Sequence, residues 1–291
     1  MLRKLPSFLA FLGGFMGLRI ATNLESATVQ RNLLRSESAQ KSSMEHLASG
    51  SRINQAADDA AGLAISENMK SQMKSLRQAT RNANDAISMI QTAEGGMNEI
   101  SSVLTRLREL SVQAASDTVG HSERGFIDKE VQQLKKEAEN IAHTTEFDGK
   151  KLLSTKEKIS FQVGTHNQDR EDRIEFETDK LNTTIASLGI SDIHTKTREA
   201  AGDNLSQLDE AIQTISEHRA TLGAMQNRLQ SSISNLSTYH ENLSKANSQI
   251  RDADVATESA ELTKNSILAS AGISVLAQAN QNNNNVLKLI N

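Results

Sequence analysis

Leu208, Ile215, Leu222, Leu229, Leu236, Leu243 and Ile250 recur at every seventh position of the chain. Leu205, Ile212 and Ile233 fill part of the complementary stripe, where Arg219, Gln226, His240 and Asn247 are polar. A seven-residue repeat sustained this long predicts one helix, from about Asn204 to Arg251, lying along a partner. At 1.5 Å per residue it would run roughly 70 Å. Asn204 with Gln207 three residues on reads as its capping box. A partner lies upstream: Ile90, Met97, Leu104 and Ser111 alternate with Ala93, Ile100, Leu107 and Ala114, in a helix that ends before Gly120. A third helix is predicted from about Ser122 to His143, with Ile127, Val131, Leu134, Ala138 and Ile141 on one face. Three such helices can close a rod.

Between the Ser122–His143 helix and the Asn204–Arg251 helix the period falls to two. Ile159, Phe161 and Val163, then Ile174 and Phe176, alternate with polar residues on either side of a polar turn from Gly164 to Asp172. This is a β-hairpin pattern, flanked by Gly149 and Gly189 and too short for a separate domain.

The two ends share a different character. Ile20, Leu24, Ala27, Leu34, Met44 and Leu47 make a helix pattern broken by Ser, Gln and Glu, one marginal in isolation. Between Lys264 and Lys288 no charged side chain occurs, yet Ser, Gln and Asn interrupt the apolar residues too often for a membrane span. A helix apolar on one side and neutral polar on the other suits burial among protein neighbours, because amides and hydroxyls desolvate at less cost than charges. The run Asn282–Asn285 reads as a soft break before Val286 and Leu287. Both ends thus point to assembly.

Composition supports long paired helices. Pro and Tyr occur once each, Cys and Trp not at all, and aromatics are 3% of residues, so the core must come from Leu, Ile and Ala stripes. Without Cys there are no disulfides or thiolate metal sites. A net charge of -4 disfavours a general nucleic-acid binder. Catalytic signatures are missing. His240-Glu241 opens like a zinc-protease helix, but Ser244 stands where the second His is needed. Asp58-Asp59 has no nucleophile, base or ligand set around it, and a helix-terminal role fits it better. No enzyme, cofactor or metal is expected.

Residues 1–15 stand apart. Arg3-Lys4 before the apolar run Leu5 to Phe15 is like a short signal-peptide region, but no small-x-small cleavage site closes it. The alternative, which we favour for a reason given below, is an upstream extension with translation beginning at Met16.

The most specific motifs lie near the two ends. They are Leu47-Ala48-Ser49-Gly50-Ser51-Arg52-Ile53-Asn54, then Asp58-Asp59-Ala60-Ala61-Gly62-Leu63-Ala64-Ile65, and Arg81-Asn82-Ala83-Asn84-Asp85-Ala86-Ile87-Ser88 followed by Gln91 to Gly95. At the far end stand Ile250-Arg251-Asp252-Ala253-Asp254 and Ser274-Val275-Leu276-Ala277-Gln278-Ala279-Asn280-Gln281. In this order they resemble bacterial flagellin over about residues 16 to 291. Flagellins begin near a segment like Met16 to Asn23, which is the reason to favour Met16 as the start. The large variable outer domains of the family are missing, so the resemblance is to a short flagellin. Asn282–Asn285 stands where many members have a Pro.

The resemblance implies a mainly α fold of long antiparallel coiled-coil helices with a small β-hairpin region at about 150–190. Residues 16–57 and 253–291 would be filament-core helices and 58–252 the helical rod. The terminal helices would pair as a second, assembly-dependent domain, with polymerisation carried by Ile20, Leu24, Leu34, Leu47, Ile267, Leu268, Ile273, Val275, Leu276, Val286 and Leu287. The chain would be secreted by type III export and polymerise into the flagellar filament. Implied partners are itself, an export chaperone at the C-terminal tail, and the filament cap and hook-junction proteins. The vertebrate Toll-like flagellin receptor is also implied, through Arg106, Leu110, Gln113 and Glu130. Nucleic acid and membrane insertion are not. A junction or cap component with flagellin-type ends is the competing reading, disfavoured because it would lack the full Asp58–Ile65 and Ser274–Gln281 signatures. A flagellin with an inserted protease is disfavoured by the missing second His and missing insert.

Overall fold

The computed structural model describes residues 23–168 and 171–290, with the backbone alone at Lys180 and 282–290. The chain runs through α1 (Leu24–Ser49), α2 (Ala60–Ala115) and α3 (His121–Thr144). The strands β1 (Glu146–Phe147), β2 (Lys150–Lys151), β3 (Lys158–Gln162) and β4 (Arg173–Glu177) and a short 3-10 helix (Thr178–Leu181) follow, then α4 (Arg198–Arg251) and α5 (Val255–Ile290). It divides into a terminal unit, Met1–Ser66 with Ser248–Asn291, and a central unit, Glu67–Asn247.

In the central unit α2 runs antiparallel to both α3 and α4. Arg106 pairs with Glu130 on α3 at 3.0 Å, and Arg108 pairs with Asp209 on α4 at 2.7 Å. The interior is the heptad seam: Ile90, Ala93, Met97, Ile100, Leu104 and Leu107 of α2 meet Leu208, Ile215, Leu222 and Leu229 of α4, all fully buried. Each such Leu or Ile stabilises the fold by ~1.5–3 kcal/mol. Beyond Leu229 the same stripe is only half-buried at Leu236 and Leu243. By that level α3 has run out, and the hairpin meets α2 at Asn82, whose amide donates to the Gln162 carbonyl.

The hairpin forms where the two-residue period predicts it. Ile159 pairs with Phe176 and Phe161 with Ile174, and the rings of Phe161 and Phe176 meet edge to face at 6.3 Å. A second ribbon, β1–β2, turns through Asp148 and Gly149, both at positive φ (50° and 75°), the two-residue hairpin turn that Asp-Gly favours.

Two expectations need correction, and one element is longer than its pattern showed. The second helix ends before Gly120 as expected, but it begins at Ala60, thirty residues before the first heptad position read from Ile90. Its earlier turns carry Leu76, Ala79, Ala83 and Ala86 as buried positions, and small residues hide a stripe from a pattern sought in Leu and Ile. Asn204 does not cap α4, which starts at Arg198; it is buried inside the helix and donates to the His194 carbonyl at 2.8 Å. Asn282–Asn285 is no break, since α5 continues to Ile290. Asn is a poor helix former, but a few residues cost little against a helix already formed.

Candidate assembly surface

In the terminal unit α1 and α5 lie antiparallel. The Asn23 amide donates to the Ala279 carbonyl at 3.2 Å, and His46 Nδ1 meets Glu258 Oε1 at 3.0 Å at the other end. The face of α1 turned inward carries Ser26, Val29, Leu33, Ser36, Gln40, Ser43 and Leu47; that of α5 carries Leu262, Asn265, Ala269, Gly272, Leu276 and Ala279. This is a heptad seam made mostly of small and polar residues. Small side chains let the helices come close: Cα atoms of α1 and α5 approach within 8 Å.

Most of the large apolar side chains are elsewhere. Leu24, Leu34 and Met44 on α1, and Val255, Ile267, Leu268, Ile273 and Val275 on α5, are each about half or more exposed, Ile267 reaching 64%. The usual helix amphipathicity is missing, since a helix in a monomer turns its apolar stripe toward the core, whereas here more of the large apolar side chains face out than in. Val29, Leu33, Leu268 and Val275 also line an open groove of about 480 Å³ along the pair. Of the residues expected to carry polymerisation, Leu24, Leu34, Ile267, Leu268, Ile273 and Val275 are therefore solvent-facing, and Leu47 and Leu276 lie half-buried on the seam. Ile20 falls outside the described residues, as do the side chains of Val286 and Leu287 and all of residues 1–15.

The signature motifs from opposite ends of the sequence meet here. Gly50 ends α1 in the left-handed conformation (φ 67°). Ser51 then bridges Asp252, the Arg52 amide donates to the Arg251 carbonyl at 2.6 Å, and the Ala253 amide donates back to Gly50 at 3.0 Å. Ile53, 1% exposed, is the apolar anchor of this crossing. Asp58 accepts from the amides of Asn54 and Gln55 at 3.0 Å each, and these backbone bonds, Gln55 first, hold its carboxyl below the ordinary range. Asp59 caps α2 by accepting from the Gly62 amide at 2.9 Å. Asp254 caps α5, its pKa lowered first by the Thr257 hydroxyl and then by the Ala256 amide. Asp58 and Asp59 are thus turn and cap residues.

In the central unit Arg106 is held by Glu109 at 2.9 Å and Glu130 at 3.0 Å, and both raise its pKa. Gln113 is exposed on the same helix. Leu110, expected with them as a receptor contact, is 2% exposed and belongs to the core. It is not offered to a partner by the folded chain. Phe126, 65% exposed beneath Lys129, lies one helical turn from Glu130 and was not anticipated. Also unanticipated was the row Asp128, Gln132, Lys135 and Glu139 on α3. These side chains bond Thr195, Ile193, both Ser191 and Ile193, and Ile185 respectively, pinning the segment that leads into α4. Their spacing of four, three and four was readable as a polar stripe beside the apolar one.

Among the described residues no group of acidic residues, His or Cys could hold a metal ion, and no helix is long and apolar enough to cross a membrane. Long antiparallel helices, with the two chain ends paired around a small-residue seam and large apolar side chains turned outward, define a structural protein built to polymerise. Residues 20–158 match the bacterial flagellin N-terminal helical region, and residues 205–290 the bacterial flagellin C-terminal helical region. The chain is 42% identical over 271 residues to a flagellin of Halalkalibacterium halodurans, covering 92% of this chain and 98% of that one. It is 40% identical over 304 residues to a flagellin of Bacillus subtilis, covering 94% and 100%. A 33 kDa flagellar filament core protein of Treponema phagedenis is 39% identical over 285 residues, covering 92% and 98%. The chain belongs to the bacterial flagellin family. It is a structural subunit of the flagellar filament, not an enzyme, and its mechanical role in swimming follows from the family.

Proposed function

We propose that the paired helices α1 and α5 are the polymerisation surface, and that neighbouring copies cover the apolar side chains the single chain leaves exposed. The observation that carries this is the outward placement of most of the pair's large apolar side chains. Leu24, Leu34, Ile267, Leu268, Ile273 and Val275 are the contact residues, and in the sequence pattern Ile20, Val286 and Leu287 continue the set. On this reading residues 16–57 and 253–291 form the filament core and 58–252 the rod outside it. Contacts between unlike surfaces that do not close on themselves give an open helical polymer, as swimming requires. The test is assembly of purified chain carrying Leu34→Asp and Ile267→Asp together, followed by sedimentation and electron microscopy. We expect no filaments, with thermal unfolding of the central unit unchanged; filaments at the parental concentration would refute the assignment.

Secretion through the flagellar export apparatus, chaperone binding at the C-terminal tail, and contact with cap and hook-junction proteins belong to the same reading. They are supported by family membership and by the charge-free, apolar tail that a chaperone would shield before export. N-terminal sequencing of isolated filaments tests Met16 as the start: a chain beginning at Met16 or Gly17 fits, one beginning at Met1 does not. Recognition by the vertebrate Toll-like receptor is carried by Arg106, Gln113 and Glu130, whose support is the exposed position of all three on the α2–α3 face. Arg106→Asp in soluble chain should abolish signalling in a receptor reporter assay, and undiminished signalling would remove the receptor from the partners.

A further inference from the structure

Where α3 no longer covers the α2–α4 pair, Arg77, Thr80 and Arg81 of α2 face Ser237 and His240 of α4 around a pocket of about 290 Å³. We propose that this pocket is an oxyanion seat, built for a carboxylate or phosphate group. Its lining presents donors. Arg77 Nε donates to His240 Nε2 at 2.9 Å, so a neutral His240 carries its proton on Nδ1, as a further donor. Arg81 bonds only the neutral amide of Gln78, and the Ser237 hydroxyl is free among the described residues. Thr80 turns its own proton back to the Leu76 carbonyl at 2.9 Å, which leaves its oxygen as the one weak acceptor.

What sets this pocket apart is two neighbouring arginines without a carboxylate; Arg124, by contrast, is held by the Ala114 and Ser116 carbonyls. Elsewhere in the central unit Arg106, Arg108, Arg198 and Arg219 each have a carboxylate partner. Arg77 and Arg81 have none among the described residues, although they stand one turn apart on the same helix face. Two guanidiniums side by side repel, and an anion between them would turn that repulsion into paired, charge-assisted hydrogen bonds. Thr80 and His240 are half-buried, so a bound oxygen would be partly shielded from solvent and from salt. The seat stands on the geometry of the single chain and does not depend on the assignment of the assembly surface.

One oxyanion chemistry has two sources here: an Asp or Glu side chain of a neighbouring copy, or free phosphate. The test begins with the soluble full-length chain, titrated with inorganic phosphate at constant ionic strength while the Nε–H signals of Arg77 and Arg81 are followed by NMR. We expect saturable shifts in both, weakened about tenfold by Arg81→Gln, a change on the scale of one charge-assisted hydrogen bond, and untouched by Arg228→Gln, which removes an exposed arginine outside the pocket. Both arginines are exposed, so neither change threatens folding. Non-saturable shifts, or saturable phosphate shifts of the Thr80 and Ser237 backbone amides that survive Arg77→Gln with Arg81→Gln, would overturn the seat. Assembly then separates the sources. If millimolar phosphate raises the critical concentration of the parent chain more than chloride at equal ionic strength, and the double Gln variant is indifferent, a neighbour's carboxylate fills the seat. Equal effects of phosphate and chloride identify free anion as the occupant.

Discussion

The heptad stripe of α4 contains its own control experiment. Leu222 and Leu236 occupy the same heptad position two repeats apart, but Leu222 is fully buried and Leu236 only half-buried. Leu→Ala in a closed core loses the transfer energy of the deleted carbons and leaves a cavity, together about 3–5 kcal/mol. Leu236 sits where α2 and α4 have no third helix over them, so part of its side chain is already in water and the vacated space opens to solvent. Its truncation should cost about 1–2 kcal/mol, the transfer portion alone. In a domain this size each kcal/mol moves the melting temperature by about 2–4 °C. Leu222→Ala should therefore lower the midpoint by about 10 °C and Leu236→Ala by about 4 °C. The assay is thermal unfolding followed by circular dichroism on chain kept below its assembly concentration. Equal losses would refute the burial gradient along α4 between Leu222 and Leu236.

Further outcomes are expected. Ile273 is 57% exposed, so Ile273→Ala removes three carbons from a surface only neighbours can cover. At about 0.8 kcal/mol per carbon, discounted for the part already buried, the critical concentration should rise about tenfold while monomer melting stays unchanged; a lower melting point with normal assembly would contradict this. Because the folded pKa of Asp58 lies below its unfolded value, the stability it contributes is fully present above the ordinary carboxylate range and lost as pH falls through the folded value. Amide exchange at Asn54 and Gln55 should accelerate across that acid window, and Asp58→Asn should flatten the pH dependence. Burial lowers the pKa of Lys135, so the native chain releases this proton before the unfolded chain does, and stability should gain as pH rises through the folded value toward the ordinary lysine range. Lys135→Met should erase that gain and cost about 1–3 kcal/mol by orphaning the Ser191 carbonyl, while the Ile193 carbonyl keeps its bond from Gln132; denaturation midpoints against pH measure both effects.

Where burial and periodicity coincide, the sequence was legible. Leu208 to Leu229, Ile127 to Ala138 and the Ile159–Phe176 hairpin are found where their spacing puts them. The first half of α2 was missed because Ala79, Ala83 and Ala86 fill its seam, and Ala marks a helix face without the contrast that Leu supplies. Asn204 shows the limit of a local cue: a capping residue identified from its neighbours was claimed by a carbonyl ten positions upstream. The assembly surface was legible as a composition, charge-free and amphipathic, but its orientation was not. That the small residues Ser43, Asn265 and Ala279 form the inside and Ile267 and Ile273 the outside requires knowing which face the other helix occupies. Leu110 illustrates the converse, a residue matched by motif whose side chain the fold keeps for itself.

The polar lining between α1 and α5 also has a kinetic meaning. A pair held mostly by Ser, Asn and Ala contacts, with Leu33, Leu47, Leu262 and Leu276 only half-buried between them, gains less on closing than a fully buried Leu seam would, so a solitary chain has less reason to keep α1 and α5 together. Two chains meeting in solution cover only part of each other's outward Leu, Ile and Val, and must still give up the freedom of all four segments. The first encounters are thus uphill, and growth becomes favourable only against a surface already several copies wide. Threads should start rarely and lengthen readily, and a chain of this kind can be stored at concentrations where an existing end would consume it.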